Sequence, residues 1–443
     1  MIDQELLKWK DAKDRKVLLV RGARQVGKTF SIRNLGRHFE HFLEVNLEKE
    51  PKIHAIFDGT LDPKIINEKL SAYFGTPIIL QKTLLFFDEI QACPNALRSL
   101  RFYYEEMPKL HVISAGSLLE FALSEIPSFG VGRISSIFMY PMTFSEFLWA
   151  NGGASLHELV LQAGPTQPLD TFFHEQLLEK LKTYQILGGM PAVVQYYIKT
   201  KDLRECQHHL GELLTNLQDD FSKYKKRAPV SKLREVFEAI VHQSGGKFKY
   251  SKISENASSS SFKEALDLLI MAGLAHKIHH TSARGIPLGA QIDPKKFKVI
   301  LFDLGIHHRL LGLDLSEFIL RSSFEMIHKG NLAEIFTGLE LIAHSSPRSP
   351  AHLYYWHRES RASNAEVDYV IQNQDQIIPL EVKAGTKGQM QSLFLFLEER
   401  NLPLGIRISH ENFSEFGKIE ARDWRERFLH SEEHKKEAVN LHT

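Results

Sequence analysis

Eight consecutive residues near the start of the chain, Gly22-Ala23-Arg24-Gln25-Val26-Gly27-Lys28-Thr29, set more of the architecture than any other segment. They satisfy the pattern G-x-x-x-x-G-K-[ST]. They lie between a short apolar stretch, Val17–Arg21, and a stretch of helical character, Phe30–Phe39. Glycines at both ends let backbone N–H groups wrap an anion, and a helix starting there adds the positive end of its dipole. Such a loop needs a buried strand to deliver it and a helix to leave it, so the pattern predicts a strand–loop–helix unit of a parallel sheet. In that setting Gly22, Gln25, Val26 and Gly27 surround phosphates. Lys28 reaches the terminal ones, and Thr29 offers its hydroxyl to Mg2+. ATP with Mg2+ is the expected ligand.

Further apolar segments recur at Phe42–Leu47, Leu84–Asp88, His111–Ser114 and Ile134–Tyr140, alternating with helical ones, as βαβ units require. In Leu84-Leu85-Phe86-Phe87-Asp88-Glu89, four apolar residues deliver two carboxylates to a strand's C-terminal end, where ligands of open α/β sheets sit. Asp88 is the expected Mg2+ holder, through water. Glu89 is the expected general base or positioner of the attacking water. In Ile113-Ser114-Ala115-Gly116-Ser117, Ser114 and Ser117 are candidates for sensing the terminal phosphate, although Ser117 suits a helix N-cap equally well. Gly132-Arg133 precedes the strand at Ile134. Arg133 fits either an arginine finger reaching a neighbouring subunit's site, which implies a homo-oligomer, or an ordinary surface ion pair.

Beyond Pro141 the pattern is mostly helical to about residue 227, interrupted at Gly164–Pro168 and Gly188–Pro191. Then come an amphipathic helix at Ser231–Gln243, ended by Gly245 and Gly246, and a helix from Phe262 with Ser258–Ser261 as its expected N-cap region. Apolar segments Leu274–Ile278 and Val299–Phe302 flank a loop, Ser282–Pro294, that is not specially basic. This is the element order of a winged helix. The chain carries 55 Lys+Arg and 54 Asp+Glu, a net charge of +1, so any nucleic-acid surface must be local. One candidate is Ser222–Lys252. Its nine basic residues (Lys223, Lys225, Lys226, Arg227, Lys232, Arg234, Lys247, Lys249 and Lys252) face only Glu235 and Glu238. DNA backbone neutralisation suits such a segment. Base reading suits it less, because the helix from Phe262 offers only Ser259, Ser260, Lys263 and Glu264. A packing module with a solvated charged face fits the same residues.

A last α/β region follows, with a helix at Asn331–His344, strands at Leu353–Trp356, Glu366–Gln372 and Ile377–Lys383, a helix at Met390–Glu399, and a polar, frayed tail from Ser431. Asp368 and Glu381-Val382-Lys383 stand on neighbouring expected strands in the spacing D-x12-E-x-K. Asp368 and Glu381 are a candidate pair for a second Mg2+ or Mn2+. Lys383 would orient or activate water, and Glu334 would add a carboxylate. The set looks like a PD-(D/E)xK nuclease site with Val367 where a proline is usual. The same residues also suit a nuclease-like fold kept only for binding.

Taken together, GARQVGKT, LLFFDEIQACP, ISAGS, the Tyr140-Pro141-Met142-Thr143-Phe144-Ser145-Glu146-Phe147 run, GGMP at Gly188–Pro191, Val299-Ile300-Leu301-Phe302-Asp303-Leu304-Gly305 and the EVDYV and LEVK segments resemble a widespread bacterial and archaeal family of AAA-type ATPases that carry a C-terminal domain of unknown function. The resemblance implies an α/β fold: a P-loop AAA-type parallel-sheet core (1–148), a helical lid (149–227), a winged helix-like module (228–312) and a restriction-endonuclease-like C-terminal domain (325–428). The expected activity is ATP hydrolysis coupled to DNA binding or processing. Its rivals are a nucleotide-dependent signalling or scaffold switch with a protein partner, and a transcriptional regulator. Two cysteines exclude a disulfide framework or a Cys-based zinc finger, and Cys93 is expected to pack rather than react. The 22 histidines form no H-E-x-x-H and read as ordinary polar or half-buried residues, and no G-x-S-x-G elbow is present. No apolar run reaches the roughly 18 residues of a membrane span, and no secretory h-region opens the chain, so a cytoplasmic protein is expected.

Overall fold

The computed structural model describes residues 1–117, 119–125, 132–224, 227–254, 259–313, 329–358, 364–384, 390–416 and 419–422. It falls into two units. The first comprises Met1–Tyr140 with Met271–Gly273 and Ser346–Pro350, and the second comprises Pro141–Ile270, Leu274–Ser345 and Ala351–Thr443.

Among the described residues, the first unit is built on five parallel strands: β1 (Val17–Arg21), β2 (His41–Asn46), β3 (Thr83–Asp88), β4 (His111–Ala115) and β5 (Ile134–Phe138). Their spatial order is β2-β3-β4-β1-β5. β3 and β4 are buried at every position, as a parallel sheet covered on both faces demands. One face packs Leu43, Val45, Leu85, Phe87 and Val112 against the helices Pro63–Phe74 and Pro94–Glu106. The other packs Leu18, Val20, Phe86 and Ile113 against Leu6, Trp9, Ile32 and Leu35. Cys93 is buried in the first of these clusters, as expected. The opening helix spans Ile2–Asp11, and beyond it the Trp9 indole donates to Lys16 O just ahead of β1. The order β2-β3-β4-β1-β5 puts β1 between β4 and β5, with β3 on the far side of β4, so strand ends far apart in sequence meet at one edge.

The second unit begins with the helices Phe144–Ala150, Ala154–Gln162, Thr171–Leu187, Pro191–Thr200 and Leu203–Asp219. Thr143 and Glu146 form a capping box at the first of these, and its Phe144 N–H donates to the buried Glu340 carboxylate at 2.9 Å. The GGMP break has a tertiary cause. Gly188 has φ +73°, and a Cβ there would stand 2.4 Å from the Asp303 carboxylate. Asp303 accepts from Gly189 N–H at 2.7 Å and caps the helix Leu304–Leu310 through Ile306 N–H at 3.0 Å.

The helices Val230–His242 and Ser259–Met271 lead to β6 (Ala275–Thr281) and β7 (Ile292–Leu301). The residues Lys225, Lys226, Ser258 and the tail from Ser431, each singled out above, lie outside the described residues, as does the Ser259 side chain. β7 starts at Ile292, seven residues before the expected Val299. The register jumps between His279, paired with Phe297, and His280, paired with Asp293. Pro294 falls in that unpaired interval on an outermost strand, where a missing N–H costs nothing. β6 also pairs in parallel with β8 (Leu353–His357), so the ribbon belongs to a larger sheet. That sheet continues through β9 (Glu366–Asn373), β10 (Gln376–Val382) and β11 (Gly405–Ile408) to β12 (Ser414–Phe416) and β13 (Ile419–Arg422), in the order β12-β13-β11-β10-β9-β8-β6-β7. The helix Gln391–Arg400 crosses from β10 to the parallel β11. Strands β11 to β13 were not expected. They are three or four residues long, too short to show an alternation. Several histidines read as half-buried are wholly inside: burial pulls His307 down to about 3 and His308 to about 4. Among the described residues, no helix is long and apolar enough to cross a membrane.

Candidate functional site

β1 ends in the loop Gly22–Gly27, whose backbone permits few other sequences. Gly22 has φ +135°, and a Cβ there would stand 2.1 Å from Met139 O. Gly27, at φ +101°, occupies the left-handed N-cap of the helix Lys28–Gly36, which therefore begins two residues before the expected Phe30. Gln25 is left-handed as well, at φ +62°, and Val26 is buried beneath the loop. The Lys28 ammonium turns back over the loop and donates to Gly22 O at 2.8 Å and Ala23 O at 2.7 Å. Burial pulls it down to about 8, against the fields of Glu89 and Asp88.

The sheet order brings the second motif to this loop. Asp88, at the end of β3, receives the Thr29 hydroxyl at 3.4 Å on one oxygen and the Asn46 amide at 3.1 Å on the other. Asn46 ends β2 directly opposite Asp88. Burial pushes the Asp88 carboxyl up to about 6, with Glu89 and Glu44 adding to the rise. The Thr29 hydroxyl and the Asp88 carboxylate are hard oxygen donors converging on one point, the donor chemistry that Mg2+ takes. Glu89 sits one residue on, in a left-handed conformation at φ +48°. One of its oxygens accepts from Gln91 Nε2 at 2.6 Å, Ser117 N–H at 3.1 Å and Ser117 Oγ at 3.0 Å. Burial pushes Glu89 up, but the Gln91 and Ser117 hydrogen bonds and the Arg24 charge outweigh it and hold the carboxyl below its ordinary value. Gly116 makes room for this arrangement, since a Cβ there would stand 1.9 Å from Gln91 Oε1. Ser114 is fully buried at the end of β4, and its hydroxyl has no hydrogen-bond partner.

Lys28, Thr29, Asp88, Glu89 and Ser117 thus form one connected cluster, while Arg133 does not join it. The register sets Val17 beside Ile134 and Arg21 beside Phe138, so Arg133 lies at the opposite edge of the sheet from the loop. Five strand residues at about 3.3 Å each separate the two edges by about 16 Å. Arg133 pairs there with Glu105. Sequence reasoning missed Asn46, Gln91 and Arg24. A polar residue closing the strand beside an acidic one could have flagged Asn46. Nothing local marks the other two.

In the second unit, Asp368 on β9 and Glu381 on β10 stand one step beyond the paired Tyr369 and Leu380. Asp368 accepts from Val382 N–H at 2.8 Å, and Lys383 donates to Glu381 at 2.6 Å. Glu334, on the helix Lys329–Ala343, is held by a residue not anticipated: Lys298 of β7, at 2.8 Å, which also reaches Glu366 at 2.5 Å. Burial pushes Glu334 up to about 8 and Glu381 to about 7, and it raises Asp368 too. Burial alone would pull Lys298 down, but Glu334, Glu366 and Asp368 outweigh it and keep the ammonium charged. Only one carboxylate oxygen of the expected quartet, Glu381 Oε2, is buried without a partner. Among the described residues, no group of three or more His, Cys, Asp or Glu side chains is arranged to hold a metal ion. The described residues thus lend no support to the second divalent ion expected from their spacing.

The basic segment is less free than its composition implies. Lys223 pairs with Asp220 and Lys232 with Glu235, while Arg234, Lys249 and Lys252 remain exposed.

Residues 14–148 match the profile described as an AAA domain. Residues 178–317 and 329–415 match two domains of unknown function, DUF8612 and DUF4143. No curated protein matches the chain closely enough to count as a relative. Among solved structures, a Walker-type ATPase of Pyrococcus abyssi, PABY2304, is 14% identical. The match covers 70% of this chain and 94% of that one, with a TM-score of 0.45. An Aeropyrum pernix ORC1 protein, solved in complex with DNA, is 13% identical over 72% of this chain and 92% of its own, with a TM-score of 0.28. Residues 14–148 are thus similar to an AAA domain and carry the phosphate-loop pattern on a five-stranded parallel sheet.

Proposed function

We propose that the chain is a Mg2+-dependent ATPase whose nucleotide state governs what its second unit binds, with DNA as the favoured partner. The observation that carries this reading is the convergence of Lys28, Thr29, Asp88 and Glu89 at one sheet edge. Lys28 would exchange its two loop carbonyls for phosphate oxygens. Thr29 and Asp88 would hold Mg2+, which supplies charge neutralisation on the phosphates when bound. Glu89 would orient the attacking water and accept its proton, with Ser117 and Gln91 fixing the carboxylate. Ser114, an unsatisfied hydroxyl beside β3, would face the terminal phosphate. Arg133 is too far along the sheet to serve its own site. Its use is as a finger in a neighbouring subunit, making the active form a homo-oligomer.

The winged-helix order of 228–312 and the exposed Arg234, Lys249 and Lys252 support backbone contacts with DNA. For the C-terminal quartet we propose a binding platform rather than a cleavage site. The buried Lys298 contact with Glu334 supports this choice.

The test is steady-state ATP turnover with and without duplex or single-stranded DNA, with Lys28→Ala as the blank. DNA stimulation is expected. Turnover indifferent to both DNAs would remove the DNA coupling and favour a protein partner. Turnover equal to the blank would remove the ATPase itself.

A further inference from the structure

We infer that the Lys298 ammonium is the resident cation of the carboxylate cluster formed by Glu334, Glu366, Asp368 and Glu381, and that this cluster takes no divalent metal ion. The inference deepens the non-cleaving reading of the second unit.

Lys298 lies on β7, next to the sheet's β6, and its side chain is only 1% exposed. A lysine buried to that degree is costly unless carboxylates surround it. Here it bridges Glu334 at 2.8 Å and Glu366 at 2.5 Å, and its ring neighbour is Tyr355, with Nζ 5.1 Å from the centroid. Glu334 is fixed from behind, because the Tyr369 hydroxyl donates to its backbone carbonyl at 2.8 Å. The helix that presents Glu334 is therefore tied both to β9 and to β7.

The two strand carboxylates are each tied through one oxygen. One Asp368 oxygen holds Val382 N–H, and one Glu381 oxygen holds the Lys383 ammonium. Two ammonium groups are thus interleaved with four carboxylates. A divalent cation needs several oxygen ligands, and an ammonium already seated among the same carboxylates competes with it for them. A divalent ion here would have to displace the Lys298 ammonium from Glu334 and Glu366, and the field of Lys298 reaches Asp368 as well. The D-x12-E-x-K residues then belong to an ion network centred on Lys298. That network joins β7, inside the 178–317 domain match, to Glu334 and Glu366, inside the 329–415 match.

The experiment uses full-length, nucleotide-free protein titrated with Mn2+ and read by electron paramagnetic resonance. Wild type and Asp368→Asn should bind the same number of Mn2+ ions, because any ion at Asp88 is common to both. Lys298→Met, checked for folding by circular dichroism, should bind one more Mn2+ per chain, and adding Asp368→Asn should remove it. A wild-type Mn2+ ion lost in Asp368→Asn would overturn the inference. So would a folded Lys298→Met protein that gains none. If Lys298→Met does not fold, the wild-type comparison decides alone. A DNA-cleavage assay on the same samples separates the two claims: a Mn2+ ion at Asp368 without cleavage would end the inference and leave the non-cleaving reading standing.

Discussion

Replacing Asp303 by asparagine should change how stability depends on pH. Asp303 is wholly buried, and burial pushes its carboxyl from 3.8 up to about 6, although the Ile306, Gly189 and Gly305 N–H groups pull the other way. A folded-state value above the unfolded one means that the folded chain favours the protonated acid. The stability this contributes is complete below the unfolded value and is lost as pH rises through the folded value. The gap between 3.8 and about 6, at about 1.4 kcal/mol per pH unit, comes to about 3 kcal/mol. Of this, about 1.3 kcal/mol is lost between pH 5 and pH 7, an appreciable share of the 5–15 kcal/mol typical of a folded domain. Asparagine does not titrate. It keeps one acceptor but loses the other, so the variant should be less stable overall. Urea unfolding of both proteins at pH 5 and pH 7 measures the effect, read from the transition of the second unit, which contains the buried Trp356. The wild type's advantage over Asp303→Asn should be about 1.3 kcal/mol larger at pH 5. An advantage independent of pH, or larger at pH 7, would refute the claim that burial outweighs the three N–H donors.

Gly22→Ala should destabilise the first unit by about 3 kcal/mol or more with no nucleotide present, through left-handed strain and the collision with Met139 O, as thermal unfolding would show. Glu89→Gln should lower ATP turnover by about 100-fold or more while nucleotide affinity, measured by calorimetry, stays within a few-fold. Arg133→Ala should unfold within about 1 kcal/mol of wild type, because its pair with Glu105 is exposed. It should also lose turnover, and mixing with a Glu89→Gln subunit should restore part of it. Failure of that complementation would refute the finger role.

The phosphate loop and the apolar strand ahead of Asp88 were legible because each is local. A glycine at φ +101°, a lysine behind it and four buried residues in a row leave their mark within a few positions. The Asp368–Glu381 juxtaposition was legible for the same reason, since a tight antiparallel pair of strands sets it. What the chain order could not show is which distant residues complete these sites. Asn46 and Ser117 reach the acidic pair only because β2, β3 and β4 are adjacent in the sheet. The distance of Arg133 from the loop follows from the register of β5 on β1. Lys298 looked like one more lysine in an apolar segment, because the carboxylates it pairs with are 36 and 68 residues further on (334 − 298 and 366 − 298). Periodicity reports which face of an element is buried. The partner that neutralises a buried charge is set by strand order and by the energetic cost of leaving that charge unpaired, and only the tertiary structure supplies it.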